Sequence, residues 1–304
     1  MRRSESGAVD SWQQAGARYL LAIALAMVLG LAAAVPVFAA DGQYQTSIVG
    51  GDPVPNGKYP FMVSLQANTS GASPSKEHFC GATLIDSDSV LTAAHCVDFI
   101  SATTTPLTLS YREVRIVVGL TVLDSSQGEV REIQSLTDIS IHPRYNPRTS
   151  AFDAAVIKLN RPVDNPKPIS LATVVSKNRL ERPGSSARIA GWGTTKIVAP
   201  MEQNRDDVSN RLRDATPPIV SDAACDRAYN GDIQRAVQVC AGQRGEDSCQ
   251  GDSGGPMWAT TKAGRRQIGI TSNGVGCGTA RYPGVYTEVN APAIRSFITQ
   301  AAGG

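Results

Sequence analysis

The chain has 304 residues, 41% of them hydrophobic and 18% charged. That is an ordinary globular balance, with enough length for a large core in one two-lobed unit or two small domains. A formal net charge of +2 with no long run of one sign argues against a nucleic-acid or membrane-surface partner.

At the N-terminus, Arg2, Arg3 and Arg18 precede an apolar run from Leu20 to Val35, which Pro36 breaks. Val37-Phe38-Ala39 then offers the small residues a signal peptidase needs. This predicts a signal peptide over 1–39 and an exported protein. The alternative is an uncleaved membrane anchor, because the run through Ala40 reaches about 20 residues, enough to span a bilayer. Its alanine content, proline break and cleavage site favour the signal peptide.

Beyond residue 47, short apolar runs recur between turn signals, in keeping with 28 glycines and 18 prolines. Phe61–Leu65, Val114–Val118, Ala154–Leu159 and Gln267–Ile270 have the length and β-branched content of strands. Only Ala291–Ala302 reads clearly as a helix, with Ile294, Phe297 and Ile298 on one face. Many short strands with Gly and Pro turns predict an all-β barrel or sandwich. The stretches 67–77, 98–110 and 196–210 read as surface loops. The first holds an Asn68-Thr69-Ser70 sequon, a motif short enough to occur by chance.

Six cysteines follow the leader. An even number in an exported chain implies disulfides, and sequence alone allows 15 pairings. Zinc is the rival reading, but no Cys-x-x-Cys occurs and the three histidines are scattered at 78, 95 and 142, so no metal site is expected.

Three glycines surround Ser253 in Gly251-Asp252-Ser253-Gly254-Gly255-Pro256. They leave its hydroxyl unshielded and allow a tight turn whose N–H groups can converge on an oxyanion, although Gly-rich turns are common without any such role. The motif also fits the α/β-hydrolase nucleophile elbow, but that fold needs a histidine after the serine and none follows Ser253. A serine hydroxyl needs a base. His95 lies in Leu91-Thr92-Ala93-Ala94-His95-Cys96, after an apolar strand and beside a cysteine. His78 ends a polar loop and His142 sits in a Pro-containing turn, so both are expected on the surface. The base needs an orienting carboxylate. Asp153 opens an apolar run, where a buried carboxylate would require partners; a strand-entry turn residue explains it equally well.

Taken together, Ile48-Val49-Gly50-Gly51, the segment around His95, Asp153-Ala154-Ala155-Val156-Ile157-Lys158-Leu159, Gly191-Trp192-Gly193, the stretch Asp247–Pro256 and Pro283–Thr287 resemble the trypsin-like serine proteases, in that family's order of His, Asp and Ser. The resemblance runs from Ile48 to about Ile298. It implies two six-stranded antiparallel β-barrels with a C-terminal α-helix and a cleft between the barrels. It implies His95, Asp153 and Ser253 as catalytic triad and the N–H groups of Gly251 and Ser253 as oxyanion hole. Asp247 would lie at the base of a pocket for Arg or Lys, walled by Ser272, Gly274 and Gly284. The family pairs Cys80 with Cys96, Cys225 with Cys240 and Cys249 with Cys277. It also implies a zymogen, with a short propeptide at 40–47, a protease domain at 48–304, and a freed Ile48 amine that pairs with Asp252.

The expected partners are protein or peptide substrates, an activating protease and protein inhibitors, acting on a monomer without cofactor or metal. Three departures stand out. Ser47 replaces the basic residue often found before the cleavage point, which predicts an activator other than the enzyme itself. Asn273 stands where the family usually has Trp, which puts the further subsites in doubt. Leu120 stands where calcium-binding members often carry an acid, which predicts no calcium requirement. The competing readings are an inactive homologue serving as a binding module, and the same fold with another primary specificity.

Overall fold

A computed structural model of the protein describes residues 48–69, 71–200 and 208–303. The expected leader and propeptide, residue 70 of the sequon and part of the third loop lie outside the described residues. The apolar runs pair into two curled antiparallel half-barrels. The first sheet has seven strands, in the order Glu129–Glu132, Val114–Val118, Met62–Ala67, His78–Leu84, Ser89–Thr92, Ala155–Lys158 and Ile139–Ile141. The second has nine, running Asp52–Pro53, Arg213–Ala215, Arg188–Gly191, Pro256–Thr261, Gly264–Asn273, Gly284–Glu288, Gln238–Ala241 and Ile219–Val220, with Ser170–Leu171 added in parallel to Gly264–Asn273. The counts exceed six because pieces of two or three residues extend the sheets.

The central strand Ala155–Lys158 reads as an apolar run because both of its faces are covered. Ala155, Val156 and Ile157 are all fully buried, and their strand lies between Ser89–Thr92 and Ile139–Ile141. One cluster takes in Val63, Leu65, Leu91 and Val156 of the first sheet with Trp258 and Ile270 of the second. The helix Pro292–Ala301 starts on a proline, which needs no N–H at that position. It buries Ile294 and Ile298 in this cluster, worth roughly 1.5–3 kcal/mol per side chain.

Several short elements depart from the sequence reading. Four-residue helices occur at Pro74–Glu77, inside the first expected loop, and at Lys177–Leu180. A seven-residue helix spans Asp222–Ala228, capped by the Ser221 hydroxyl accepting from the Ala224 N–H; it is too short to show a helical period. The stretch 98–110 carries two two-residue strands, Ile100–Ser101 and Leu109–Ser110.

The six cysteines form Cys80–Cys96, Cys225–Cys240 and Cys249–Cys277, the pairing the resemblance implies. The second closes a 15-residue separation and ties the helix Asp222–Ala228 to the strand Gln238–Ala241. Replacing both Cys225 and Cys240 by alanine is therefore expected to lower unfolding free energy by about 3 kcal/mol, read from guanidinium denaturation midpoints; a change under about 1 kcal/mol would show that this loop is held by other contacts.

Candidate active site

His95 sits in the short 3-10 turn Ala94–Cys96, pinned to the strand His78–Leu84 by the Cys80–Cys96 bridge. Its ring Nδ1 lies 2.8 Å from Asp153 Oδ2, and its backbone N–H donates to Oδ1 at 2.9 Å. The Ser272 hydroxyl donates to Oδ2 at 2.6 Å, and the Thr287 hydroxyl donates to the Asp153 carbonyl at 2.8 Å. Burial alone would raise the Asp153 carboxyl. The hydrogen bond and charge of His95, with the Ser272 hydroxyl, outweigh it and hold the group below its ordinary value. An ionised carboxylate only accepts, so Nδ1 carries the proton and Nε2 is the ring's accepting nitrogen.

Ser253 is half-buried at the turn between Cys249 and the strand Pro256–Thr261. The backbone N–H groups of Asp252, Gly254 and Gly255 bond to Cys249, Thr271 and Asp252 carbonyls. Those of Gly251 and Ser253 have no protein acceptor among the described residues, and Gly251 takes φ +95°. The loop thus presents two unsatisfied donors beside one hydroxyl. Ser253 and His95 share no hydrogen bond here; they are linked through Ser272, which bonds Asp153 and lines the same cavity as Ser253.

Asp252 is buried and accepts from the Gly193 and Cys249 N–H groups at 2.8 and 2.9 Å. Burial pushes it up to about 7, and no cation stands against it among the described residues. Its carboxylate explains the Gly191-Trp192-Gly193 segment, since a Cβ at Gly193 would lie 2.5 Å from Asp252 Cγ. Ile48 is also fully buried, packed with Ile189, Met257 and Tyr286. No bond joins it to Asp252.

A cavity of about 190 Å³ opens beside Ser253, lined by Asp247, Gln250, Ser272, Asn273, Gly274 and Gly284 among others. Asp247 is 2% exposed and accepts from the N–H groups of Ser248 at 2.9 Å and Gly278 at 3.1 Å. Burial raises it to about 7; the N–H groups work against the shift and the charge of Asp252 adds to it. Gly284 leaves the carboxylate its place, since a Cβ there would meet Asp247 Oδ1 at 2.6 Å and force it to shift. Asn273 is exposed at the cavity mouth.

A family model described as Trypsin matches residues 48–298. The chain belongs to the trypsin family. It is 36% identical over 246 residues to "Trypsin" of Saccharopolyspora erythraea, covering 80% of this chain and 94% of that one. It is 35% identical over 272 residues to "Trypsin-like protease" of Streptomyces glaucescens, covering 88% of each. A third relative, "Venom peptide isomerase heavy chain" of Agelenopsis aperta, is 34% identical over 80% of this chain and 96% of its own length. The family relation makes this a serine-protease hydrolase.

Against the sequence reading of this trypsin-family chain, two histidines are corrected. His78 and His142, expected on the surface, are 7% and 4% exposed. His142 stacks on Phe152 at 4.8 Å and meets Phe297 edge-on at 4.9 Å. His78 lies 2.9 Å from the Gly251 carbonyl through Nε2 and 2.8 Å from the Ser64 hydroxyl through Nδ1. A carbonyl only accepts, so Nε2 is protonated and Nδ1 accepts from Ser64; burial drives His78 down to about 4 and keeps it neutral. It thereby holds the Gly251–Asp252 peptide, which lies between the two peptides that carry the open N–H donors. Thr287 also escaped notice, because its segment was recognised only as a motif. The one group of potential metal ligands among the described residues, Cys80, His95 and Cys96, has its two sulfurs joined in a disulfide and offers no thiolate. Leu120 is buried in the core.

The raised carboxyl of Asp247 has a thermodynamic signature. Between its ordinary value of 3.8 and about 7, the folded chain holds a proton that the unfolded chain releases, so this group makes stability fall as pH rises through that window. Asp247→Asn removes the effect. Its stability relative to wild type is expected to climb by about 1.4 kcal/mol per pH unit between pH 4.5 and 6.5 and to level off above 7, measured by chemical denaturation. A pH-independent difference would show that Asp247 is already ionised when folded.

Proposed function

We propose that this protein is a secreted serine endopeptidase that hydrolyses peptide bonds after Arg or Lys and is made as a zymogen activated by cleavage between Ser47 and Ile48. The observation that carries the specificity is Asp247, a buried carboxylate without a cation at the wall of the cavity beside Ser253. A guanidinium or ammonium entering that cavity supplies the missing charge, whereas a neutral side chain leaves the carboxylate unpaired or protonated.

The chemistry follows from the arrangement. Ser253 Oγ attacks the substrate carbonyl while its proton passes to His95 Nε2, and the imidazolium is stabilised by Asp153. The carbonyl electron pair moves to oxygen, which the Gly251 and Ser253 N–H groups receive. Collapse of this intermediate breaks the C–N bond, and His95 returns the proton to the leaving amine. Water then repeats the sequence on the acyl-serine, releasing the acid and restoring Ser253.

Activation rests on Asp252. In the uncut chain the Ile48 nitrogen is an amide, and among the described residues two backbone N–H groups meet the buried carboxylate. Residues 48 and 49 already pack beside the site: Ile48 is buried, and the Val49 carbonyl accepts from the Asp247 N–H at 3.1 Å. Cleavage would turn the Ile48 amide into an ammonium that can pair with Asp252. With Ser47 before the bond, an Arg/Lys-specific enzyme has no side chain for its cavity, so the activator is a different protease. Export follows from the leader and the three disulfides, with an uncleaved leader as the minor alternative; no helix among the described residues is long and apolar enough to cross a membrane. The enzyme acts as a monomer open to protein inhibitors and needs no calcium, since Leu120 packs into the core.

The chain beginning at Ile48 is expected to cleave matched peptide amides after Arg and Lys, not after Phe or Ala, and to be silenced by a serine-reactive phosphonate. Ser253→Ala should lower kcat by about 10³-fold or more, and Asp247→Ser should depress kcat/KM for basic substrates far more than for neutral ones. Phosphonate-sensitive cleavage after Phe would overturn the assignment of Asp247; no cleavage at all would favour a binding module. Separately, full-length precursor mixed with a catalytic amount of the Ile48 form should stay uncut, and its rapid conversion would refute the need for another activator.

A further inference from the structure

Asp153 is presented by a hairpin whose backbone is unusual. Asn146 and Ala151 bridge its base, with the Asn146 N–H donating to the Ala151 carbonyl at 3.0 Å. Ser150 and Phe152 both have positive φ, +50° and +56°, which is costly for residues with a Cβ and most unusual for an aromatic. Asp153 is the centre of a three-residue turn in which the Ala154 N–H reaches the Phe152 carbonyl at 2.8 Å. Such a conformation persists only where the surroundings impose it.

Two sets of contacts impose it. On one side, the Phe152 ring stacks on His142 at 4.8 Å, with the Arg144 guanidinium 4.0 Å from its centroid. On the other, Gln238 reaches across from the second sheet. It is 2% exposed, and its Nε2 amide donates to the carbonyls of Thr149 at 3.4 Å and Ser150 at 3.2 Å. Its Oε1 accepts from the Gln234 N–H at 2.7 Å, so all of the amide's polarity is committed. Gln238 is the cross-strand partner of Thr287, whose hydroxyl binds the Asp153 carbonyl. One rung of the second sheet thus grips the hairpin at three carbonyls, at and just before Asp153.

We infer that Gln238 is a positioning residue for the reaction: through the carbonyls of Thr149 and Ser150 it holds the strained hairpin in the one conformation that sets the Asp153 carboxylate against His95. This rests on the proposed role of Asp153. Gln238 touches neither substrate nor reacting atoms, so its loss acts on kcat through the His95–Asp153 geometry and spares substrate binding.

The test uses Gln238→Met, which keeps volume and loses both donors, and Gln238→Glu, which keeps the acceptor but turns a carboxylate toward two carbonyls. Each is made in the activated enzyme, with kcat expressed per site titrated by an active-site phosphonate so that misfolded protein does not count. Gln238→Met should lower kcat about tenfold, since small misplacements of catalytic groups are expensive, with KM within about twofold of wild type. Gln238→Glu should lower it further. The low-field proton resonance of His95 Nδ1–H should move in both. A kcat per titrated site within twofold of wild type, an unmoved resonance, or a loss carried by KM would overturn the inference. Asp153→Asn is run beside them. If it is inactive while Gln238→Met is normal, only this inference falls; if Asp153→Asn is itself fully active, the proposed triad falls and takes the inference with it.

Discussion

The buried carboxylate of Asp153 is the constraint around which the two sheets are arranged. A carboxylate removed from water is costly unless donors replace the lost hydration. Here they come from both halves of the molecule: the backbone N–H and ring of His95 from the first, and the hydroxyl of Ser272 from the second. The Thr287 hydroxyl adds a bond to the Asp153 carbonyl. Sliding one sheet against the other would strip some of these donors at once. The carboxylate that bonds His95 is therefore also a contact between the two sheets, so the geometry around it is tied to their packing.

Asp247 and Asp252 are treated in the opposite way. Each is deeply buried, each is met by two backbone N–H groups at hydrogen-bond distance, and each is raised to about 7. A rise from 3.8 to about 7 corresponds to on the order of 4 kcal/mol of unfavourable burial once the carboxyl ionises. Set against a typical net stability of 5–15 kcal/mol, two such groups are a heavy load for the chain to carry unpaired. The charge of Asp252 also raises Asp247, so neutralising one eases the ionisation of the other.

The strand segments were legible because burial writes itself as short runs rich in β-branched residues: Val114–Val118 emerges with unchanged bounds, and the C-terminal helix shifts by one residue at each end. His95, Asp153, Ser253 and Asp247 could be singled out because each stands in a segment that resembles the family, and Asp153 only through that resemblance. What stayed hidden was made by contacts remote in sequence. His78 looks like the end of a polar loop, yet its partner Gly251 is 173 positions away. Gln238 reads as one polar residue in a short strand, and its acceptors lie 88 and 89 positions back. The helix Asp222–Ala228 was missed for a different reason, since seven residues hold barely two turns and no period can be counted.

The contrast among the three aspartates bears on how the proposed enzyme would be switched. Asp153 has its hydrogen-bond partner built in, as a histidine fixed by the Cys80–Cys96 bridge, so that pair is already formed in the uncut chain. Asp252 and Asp247 have no counter-charge among the described residues, and on the proposed reading they receive one each in sequence: an ammonium from the cut chain, then a cation from the substrate. The first step would remove the smaller, electrostatic part of the rise of Asp247, while burial, the larger cause, remains. A cavity whose carboxylate is ionised attracts a guanidinium, and one whose carboxyl is protonated does not. Activation would then act on specificity as well as on turnover, through the electrostatic coupling of two buried acids five residues apart.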